Sequence, residues 1–183
     1  MPDQREQPFI IEPFDPGRHD RDSFSCGIPA VDNYFRKTAN KLAKADNIRL
    51  SVMVAPDDAV IGFYSINAHA VGYDELPPRY ARARPVHGSI PAAFISMIGR
   101  DRRYRNQGFG SDLLVDALAR IARASDEIGI SVVMLDVFDC GDPERLQRRK
   151  ALYQEFGFMP LPSSPLRLFL PIATVRQLLT EGD

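Results

Sequence analysis

The chain is poor in cysteine and contains no long apolar run. Its two cysteines, Cys26 and Cys140, lie far apart and lack the spacing of a metal site, so a reducing compartment suits them as well as a disulfide would. No segment approaches the roughly 18 apolar residues that span a bilayer. Residues 1–6 are polar and contain no apolar signal region. We therefore expect a cytoplasmic protein without membrane contact.

A strong net charge is also lacking. The 23 basic and 24 acidic residues give a formal net charge of -1, so any nucleic-acid contact must come from local basic patches. The 183 residues fit one domain of ordinary size, and 44% hydrophobic residues are typical of a globular chain. We expect a polar N-terminal arm at residues 1–8 and a single domain over residues 9–183.

Hydrophobic periodicity predicts an α/β or α+β fold with a mixed sheet. Short apolar runs predict strands at residues 9–11, 50–55, 60–66, 92–98, 130–137 and 166–170. Helical spacing predicts helices at residues 28–42, 110–128, 143–155 and 172–179, with Gly129 ending the second of these. Residues 72–88, rich in proline and arginine, predict a long surface loop or a short helix.

The sharpest local motif is the segment Arg105-Asn106-Gln107-Gly108-Phe109-Gly110-Ser111, hereafter the glycine loop. It lies between a predicted strand and a strong amphipathic helix, where glycines and free helix amides can cradle a pyrophosphate. A P-loop pattern is absent, and Leu113 stands where a dinucleotide fingerprint needs its third glycine. Taken alone, the segment fits an ordinary tight turn equally well.

With its neighbours, the glycine loop resembles a known family. Arg105-x-x-Gly108-x-Gly110 resembles the acetyl-coenzyme A (acetyl-CoA) signature of GNAT N-acyltransferases, and Tyr153-Gln154-Glu155-Phe156-Gly157-Phe158 resembles their late Tyr-x-x-x-Gly-Phe motif. The resemblance implies a GNAT fold, in which helices flank a mixed central sheet. It also implies that acetyl-CoA is bound by Ile98, Gly99, Arg100, Arg105, Asn106, Gln107, Gly108, Phe109, Gly110 and Ser111.

The resemblance extends to one branch of this family. The segment from Phe24 to Phe35, the strand Ile61-Gly62-Phe63-Tyr64-Ser65 and the segment Arg167-Leu168-Phe169-Leu170-Pro171 are similar to GNAT toxins of type II toxin–antitoxin pairs. This implies a toxin that acetylates the α-amine of aminoacyl-tRNA and blocks translation. It further implies a homodimer and silencing by a ribbon-helix-helix antitoxin.

The chain differs from the family pattern at three places. Leu146 stands where many members have asparagine, and Arg148-Arg149-Lys150 replaces small apolar residues before Tyr153. The strand before the glycine loop ends in Ile98-Gly99-Arg100, where Leu-Ala-Val is usual. These differences bear on the substrate and on the surroundings of Tyr153 more than on the cofactor.

The mechanism that the resemblance implies uses Tyr153 as the proton donor to the departing thiolate, with backbone amides near Ile98 and Gly99 stabilising the oxyanion. An α-amine with a pKa near 8 needs no strong base at neutral pH. Accordingly we assign no base: His69 and His87 are expected to be solvated or core residues, and His19 a loop residue without a role. No metal is expected.

Three basic clusters are candidate tRNA contacts, because phosphates dominate the affinity for RNA. Their members are Lys37, Lys41 and Lys44; Arg102 and Arg103 beside the glycine loop; and Arg148 and Arg149 beside Tyr153. The alternative for the lysines is a solvated helix face. For the arginines it is ion pairing with Asp101, Asp142 and Glu144.

Two other functions remain open on the sequence. The first is a GNAT enzyme that acetylates a small-molecule amine or a protein N-terminus. The second is a regulator that binds acyl-CoA without turnover, against which Tyr153 argues because a pure binding protein needs no proton donor.

Overall fold

A computed structural model describes residues 9–83, 85, 86 and 88–182. Seven strands form one mixed sheet in the order β1-β2-β3-β4-β5-β7-β6. The strands are β1 Ile10–Pro13, β2 Arg49–Val54, β3 Val60–Gly72, β4 Ser89–Arg100, β5 Val132–Asp136, β6 Met159–Leu161 and β7 Ser164–Pro171. The helices are α1 Pro29–Asn33, α2 Ala39–Lys44, α3 Phe109–Ala124, α4 Pro143–Glu155 and α5 Ile172–Glu181. The predicted mixed sheet with flanking helices is confirmed. The predicted N-terminal arm lies outside the described residues.

The chain forms two compact units. The first comprises residues up to Asn67 together with Ser96–Ala117, and the second comprises Ala68–Ile95 together with Leu118–Asp183. Strands β3 and β4 and helix α3 pass from one unit to the other, so the units subdivide the predicted domain without a linker.

Aromatic rings form the core of the first unit. Phe35 stacks on Phe63 with 4.4 Å between ring centroids and an interplanar angle of 9°. Phe24 meets both rings edge-on, at 5.0 and 5.4 Å, and all three residues are fully buried. Offset and edge-on pairs of this kind add to the stability from apolar burial. The signature segment Phe24–Phe35 thus supplies part of the core as well as the residues of a loop described below.

The predicted helix over residues 28–42 is interrupted by a π-helical turn. It consists of α1, the π-helical turn Tyr34–Thr38 and α2. A π-turn adds a residue to the helical repeat and is frequent at functional sites. Here it brings the Tyr34 hydroxyl to 2.9 Å from Ser65 Oγ on β3.

Strand β4 is irregular where it leaves its parallel partner. Its ladder with β5 ends at Ile95, opposite Leu135, but the strand continues to Arg100. Beyond that point Ser96 Oγ lies 2.7 Å from Ser65 Oγ, and a Cβ on Gly99 would lie 2.9 Å from the Phe63 ring. Residues three apart on a regular strand face opposite sides. Since Ser65 and Phe63 share a face, the backbone of β4 must depart from regular alternation between Ser96 and Gly99.

The second unit is built on β5. This strand pairs in parallel with β4 and antiparallel with β7, and four of its five residues are buried. Apolar residues of β3, β4, β5, β6, β7 and the loop after β3 form one core cluster: Val71, Leu76, Ala81, Ile90, Ala92, Val132, Met134, Leu161 and Phe169. Helix α4 begins at Pro143 after the N-cap Asp142, whose carboxylate accepts bonds from two amides, and it matches its predicted bounds.

Several boundaries differ from the prediction. Helix α3 ends at Ala124 and not at Gly129, because turns at residues 125–128 follow it. Strand β3 extends six residues beyond Ile66, and β6 was not predicted because three residues, one of them proline, carry too short a pattern. No helix within the described ranges is long and apolar enough to cross a membrane.

Candidate functional site

The glycine loop has the unusual backbone that its sequence predicts, at Asn106 and Gly108. Their φ angles are 60° and 81°, in the left-handed region that glycine adopts without strain. The Gly108 carbonyl accepts bonds from the amides of Ser111 and Asp112, so it caps α3, while the amides of Phe109 and Gly110 lie outside this cap. Gly110 has ordinary helical backbone, and the glycine is not needed there for its dihedrals.

Gly110 instead leaves space. A Cβ built on it would have no protein atom within 4 Å. Phe109, in contrast, is 2% exposed and meets the rings of Phe9 and Tyr104 edge-on, at 5.3 and 6.2 Å. Its side chain therefore anchors the start of α3 in the core, and only its backbone is available to a ligand. The loop thus combines an anchored helix start with an unobstructed approach at Gly110.

Two arginines, Arg100 and Arg105, lie at this end of the first unit, and the charge of Arg100 is only partly balanced, by the nearby carboxylate of Asp101. The Nη1 atom of Arg100 is buried and meets no hydrogen-bond acceptor among the described residues. Burial lowers the pKa of Arg100, and the nearby charge of Arg105 lowers it further. Both effects penalise the cation in the absence of an anion, so the pair favours an anionic ligand.

A loop at residues 25–27, hereafter the Ser25 loop, lies next to Arg105. A Cβ on Gly27, whose φ is 85°, would stand 3.4 Å from Nη2 of Arg105. Two buried carboxylates hold this loop. Asp101 accepts a bond of 3.0 Å from the Ser25 amide, and Asp32 accepts bonds from Ser25 Oγ at 2.9 Å and from the Cys26 amide at 2.8 Å.

Asp101 is 1% exposed and is fully bonded. Burial opposes its charge, but bonds from the Arg103 side chain and amide and from the Ser25 amide more than offset this, and the pKa of Asp101 is lowered. Arg103 donates Nε and Nη2 to it at 2.9 and 3.0 Å. The sequence analysis did not identify Asp101 or Asp32 as site residues. The signal available was the signature segment itself, in which Asp32 follows Ser25 by seven residues.

In the second unit, Tyr153 lies on α4 and is 6% exposed. Burial raises the pKa of its phenol to about 12, although the charge of Arg149 acts in the opposite direction. Its ring meets Phe158 edge-on at 6.0 Å. Its hydroxyl forms no hydrogen bond with any residue that the structure describes. Tyr153 is therefore a core aromatic residue whose hydroxyl keeps its proton at neutral pH.

The basic candidates differ in how far their charges are engaged. Lys37, Lys41 and Lys44 are exposed, and none forms an ion pair within the described part of the chain. Arg103 and Arg148 pair with Asp101 and Glu144. Arg149 donates a 2.8 Å bond to the Phe138 carbonyl, and Arg102 is exposed, with its amide bonded to Ser25.

Of the three histidines, His19 and His69 lie among the described residues, and both contact other side chains. His19 is 3% exposed, accepts a bond from the Asp15 amide and lies 2.8 Å from Glu12, so it fastens its loop. His19 thus lies in a loop, as predicted, and its hydrogen bonds are structural. His69 is half-buried against Phe94, and His87 lies outside the described residues. Among described residues, no group of three His, Cys, Asp or Glu is placed to hold a metal.

Comparisons with known proteins agree with this architecture. The profile described as the acetyltransferase (GNAT) family matches residues 23–158. A probable toxin TacT of Sinorhizobium fredii is 64% identical over 171 residues, covering 93% of this chain and 94% of the relative. A tRNA-acetylating toxin of Mycobacterium tuberculosis is 32% identical over 161 residues, covering 88% and 90%.

Solved structures show the same fold over nearly the whole chain. A KacT variant with one tyrosine replaced by phenylalanine superposes with a TM-score of 0.83 at 21% identity, covering 94% of this chain and 99% of that one. AtaT complexed with acetyl-methionyl-tRNA gives 0.81 at 21% identity, with coverage of 94% and 99%. An AtaT variant bound to the C-terminus of antitoxin AtaR and to acetyl-CoA gives 0.76 at 19% identity, with coverage of 94% and 98%.

Proposed function

We propose the following activity for this chain, which belongs to the acetyltransferase (GNAT) family: it transfers the acetyl group of acetyl-CoA to the α-amine of an aminoacyl-tRNA and thereby acts as a translation-blocking toxin. The observation that carries the substrate assignment is 32% identity to a tRNA-acetylating toxin over 88% of the chain. The 64% identity to a probable toxin over 93% of the chain supports the role as a toxin.

The glycine loop fits the diphosphate of acetyl-CoA. Arg100 and Arg105 supply two cations, of which Arg100 has a buried Nη1 without a hydrogen-bond acceptor among the described residues, and the amides of Phe109 and Gly110 lie at the positive end of α3. The open space at Gly110 admits a ligand to the backbone. We assign Asn106, Gln107, Gly108 and Ser111 to the same cradle. The backbone of Ile98 and Gly99 is assigned to the acyl end.

Acetyl transfer requires an oxyanion donor and a proton donor. The amine nitrogen attacks the thioester carbonyl carbon, the C–S bond breaks, and the amine loses one proton while the thiolate gains one. The amides of Ile98 and Gly99 are the proposed oxyanion donors, and they lie where β4 departs from regular alternation between Ser96 and Gly99. They lie beyond the last residue that pairs with β5, so that ladder does not engage them.

Tyr153 is the proposed proton donor to the thiolate. With its pKa raised to about 12, the hydroxyl stays protonated at every physiological pH. A free thiol has a pKa near 8.5, so transfer of the proton from the Tyr153 phenol to a fully formed, solvated thiolate is unfavourable. Burial raises the pKa of the phenol, and it raises the pKa of an adjacent thiol in the same way. Proton transfer must therefore accompany cleavage of the C–S bond, before a solvated thiolate has formed.

The remaining assignments concern partners. We assign tRNA contact to the three basic clusters, with Lys37, Lys41 and Lys44 as the cluster whose charges are free of ion pairs among the described residues. Silencing by a ribbon-helix-helix antitoxin and a cytoplasmic homodimer complete the proposal. The AtaT structure with its antitoxin supports an antitoxin partner, and co-expression with a neighbouring small reading frame tests it.

The test is transfer of labelled acetyl from acetyl-CoA to a pool of charged tRNAs. Wild type is expected to label the pool, and Tyr153→Phe to lower kcat by about 100-fold or more while binding of acetyl-CoA is unchanged. Tyr153→Phe keeps the buried ring, so stability provides the control. Labelling that survives the substitution removes the proton-donor role. Labelling of free amines but of no charged tRNA replaces the toxin activity with that of a small-amine acetyltransferase.

A further inference from the structure

Four side chains form a row across neighbouring strands of the second unit, apart from the residues assigned above. They are His69 of β3, Phe94 of β4, Arg167 of β7 and Asp136 at the end of β5. The His69 and Phe94 rings lie 5.1 Å apart, and Cζ of Arg167 lies 5.3 Å from the centre of the Phe94 ring. Arg167 donates Nε and Nη2 to the two carboxylate oxygens of Asp136, at 2.7 and 2.8 Å. We name these four residues the stacking row.

The stacking row is supported from one side and partly open to solvent. Phe94 packs against the core cluster of the second unit but is itself only half-buried, as is His69. The side chains of Arg167 and Asp136 are 36% and 49% exposed. The row therefore brings together three planar side-chain groups that are each partly exposed: the Phe94 ring, the Arg167 guanidinium and the His69 imidazole. Planar groups in this arrangement suit a planar ligand.

The ion pair makes the guanidinium rigid. Arg167 and Asp136 are directly opposite in the antiparallel register of β5 and β7, and both nitrogens of the fork are engaged. An exposed cross-strand ion pair adds little stability. The larger consequence of the ion pair is that it holds the plane of the Arg167 guanidinium beside Phe94 and cancels the positive charge of the guanidinium. Because the charge of Arg167 is already engaged by Asp136, the pair suits an uncharged base more than a phosphate.

The row also lies near the end of the parallel pairing between β4 and β5. Asp136 is the last residue of β5, and β4 and β5 are the parallel pair of the sheet. In open sheets with parallel strands, ligands bind beyond the carboxyl ends of those strands. A carboxylate at this end can accept a hydrogen bond from a ribose hydroxyl.

We propose that the stacking row binds the 3′-terminal nucleoside of the aminoacyl-tRNA, with the base against Phe94, His69 and Arg167 and the ribose hydroxyl on Asp136. Unstacked bases at RNA ends are recognised by stacking on aromatic rings and on arginine planes. The inference rests on the proposed function, since it names the contact that presents the aminoacyl ester. It concerns substrate binding and involves no chemical step.

The test replaces Phe94 with leucine and measures acetylation of aminoacyl-tRNA. Phe94→Leu is expected to raise KM for aminoacyl-tRNA by about 5- to 150-fold, the range for loss of one base–aromatic stack. The Kd of acetyl-CoA is expected to stay within about twofold. Acetylation of an amino acid ethyl ester, which has no nucleoside, is expected to be unchanged, whereas a general defect of the fold would lower it too.

Two further variants serve as controls. Phe94→Trp retains a stacking surface and is expected to bring KM for aminoacyl-tRNA back to within about threefold of wild type. Tyr73→Leu removes a partly exposed aromatic of the same unit outside the stacking row and is expected to leave KM unchanged. If Phe94→Leu melts well below wild type, Arg167→Met supplies the same comparison at an exposed position.

The outcomes separate this inference from the proposed function. If wild type acetylates charged tRNA but Phe94→Leu and Arg167→Met have wild-type KM values, the stacking row does not bind the nucleoside, and the toxin activity stands. If wild type acetylates no charged tRNA, the proposed function is wrong and the row loses its substrate. A loss that affects the ethyl ester and the tRNA equally also overturns the inference.

Discussion

Tyr153 illustrates how burial sets the chemistry of a single residue. Burial raises the pKa of its phenol to about 12, so the folded state keeps this proton to higher pH than the unfolded state, whose tyrosine titrates near 10. The folded state is therefore favoured fully below pH 10, and this contribution is lost as pH rises from about 10 through 12. If Tyr153 is the proton donor, as proposed, the same shift sets the alkaline limit of acetyl transfer.

We predict a rate profile without an alkaline fall below about pH 10. The value of kcat/KM should rise as the substrate amine loses its proton and then stay level, because Tyr153 remains protonated across this range. Initial rates of acetyl transfer between pH 6 and 10 measure this. Tyr153→Phe should give the same rising limb at a lower level. A fall in the wild-type rate with an apparent pKa below 10 would contradict the assignment.

Asp101 is the other residue whose pKa is set by burial and hydrogen bonding. Its pKa is lowered, so its contribution to stability is present above the unfolded pKa near 4 and is lost as pH falls below that value. Asp101→Asn should destabilise the protein by about 3 kcal/mol, because bonds to a buried charge are broken. It should also raise KM for acetyl-CoA, because the Ser25 loop beside Arg105 is released.

Thermal unfolding and acetyl-CoA titration measure these two effects. The matched control is Asp142→Asn, at the exposed N-cap of α4, where asparagine caps as well as aspartate and stability should change little. An Asp101→Asn protein with wild-type stability and wild-type KM would show that the carboxylate does not hold the loop.

At the scale of the element, the two glycines of the glycine loop serve different purposes. Gly108 has a φ of 81°, whereas Gly110 has helical backbone and open space where a Cβ would stand. Gly110→Ala should keep or raise the melting temperature, because alanine favours the helix by up to about 1 kcal/mol. It should nevertheless weaken acetyl-CoA binding by about tenfold or more, because the methyl group occupies the approach to the backbone.

Two variants check this division. Gly108→Ala should lower the melting temperature, because a side chain is strained at positive φ. Gly129→Ala, at a glycine that likewise has open space at its Cβ but follows the other end of α3 in the chain, should leave acetyl-CoA binding unchanged. Calorimetric titration with acetyl-CoA and thermal melts measure both properties. Equal Kd values for Gly110→Ala and Gly129→Ala would place the cofactor elsewhere.

At the scale of the whole molecule, a net charge of -1 means that RNA binding must rest on local clusters. Each phosphate contact contributes about 0.7 to 0.9 to the slope of log K against log salt concentration. Replacing Lys37, Lys41 and Lys44 together with glutamine should therefore reduce the slope for tRNA by about 2 and leave acetyl-CoA binding unchanged. Filter binding of tRNA at salt concentrations from about 50 to about 200 mM measures this slope.

The control for this prediction is Arg176→Gln. Arg176 is exposed but pairs with Asp126 and donates to Ser125, so its charge is already engaged and the slope should change by less than about 0.5. A triple lysine variant with the wild-type slope would favour the alternative of a solvated helix face.

The sequence by itself determined most elements, because local patterns encode them. The apolar positions of α3, among them Leu113, Leu114 and Ile121, are buried as their helical spacing predicts, and α4 has its predicted bounds. The glycine loop was predicted to be a turn between a strand and a helix from its residue types, whereas its assignment to a cofactor came from the family resemblance. The short strand β6 and the π-helical turn at Tyr34 were missed, because neither has a periodicity that a sequence window can detect.

Only the tertiary structure decided which charges and hydroxyls meet. Asp101 reaches the Ser25 amide across 76 positions of sequence, and Asp136, Phe94 and Arg167 meet because their strands are neighbours in the sheet. The buried Nη1 of Arg100 and the raised pKa of Tyr153 depend on desolvation, which is a property of packing and not of residue type. Local patterns fix helices and strands, whereas contacts between distant segments fix the electrostatics of a site.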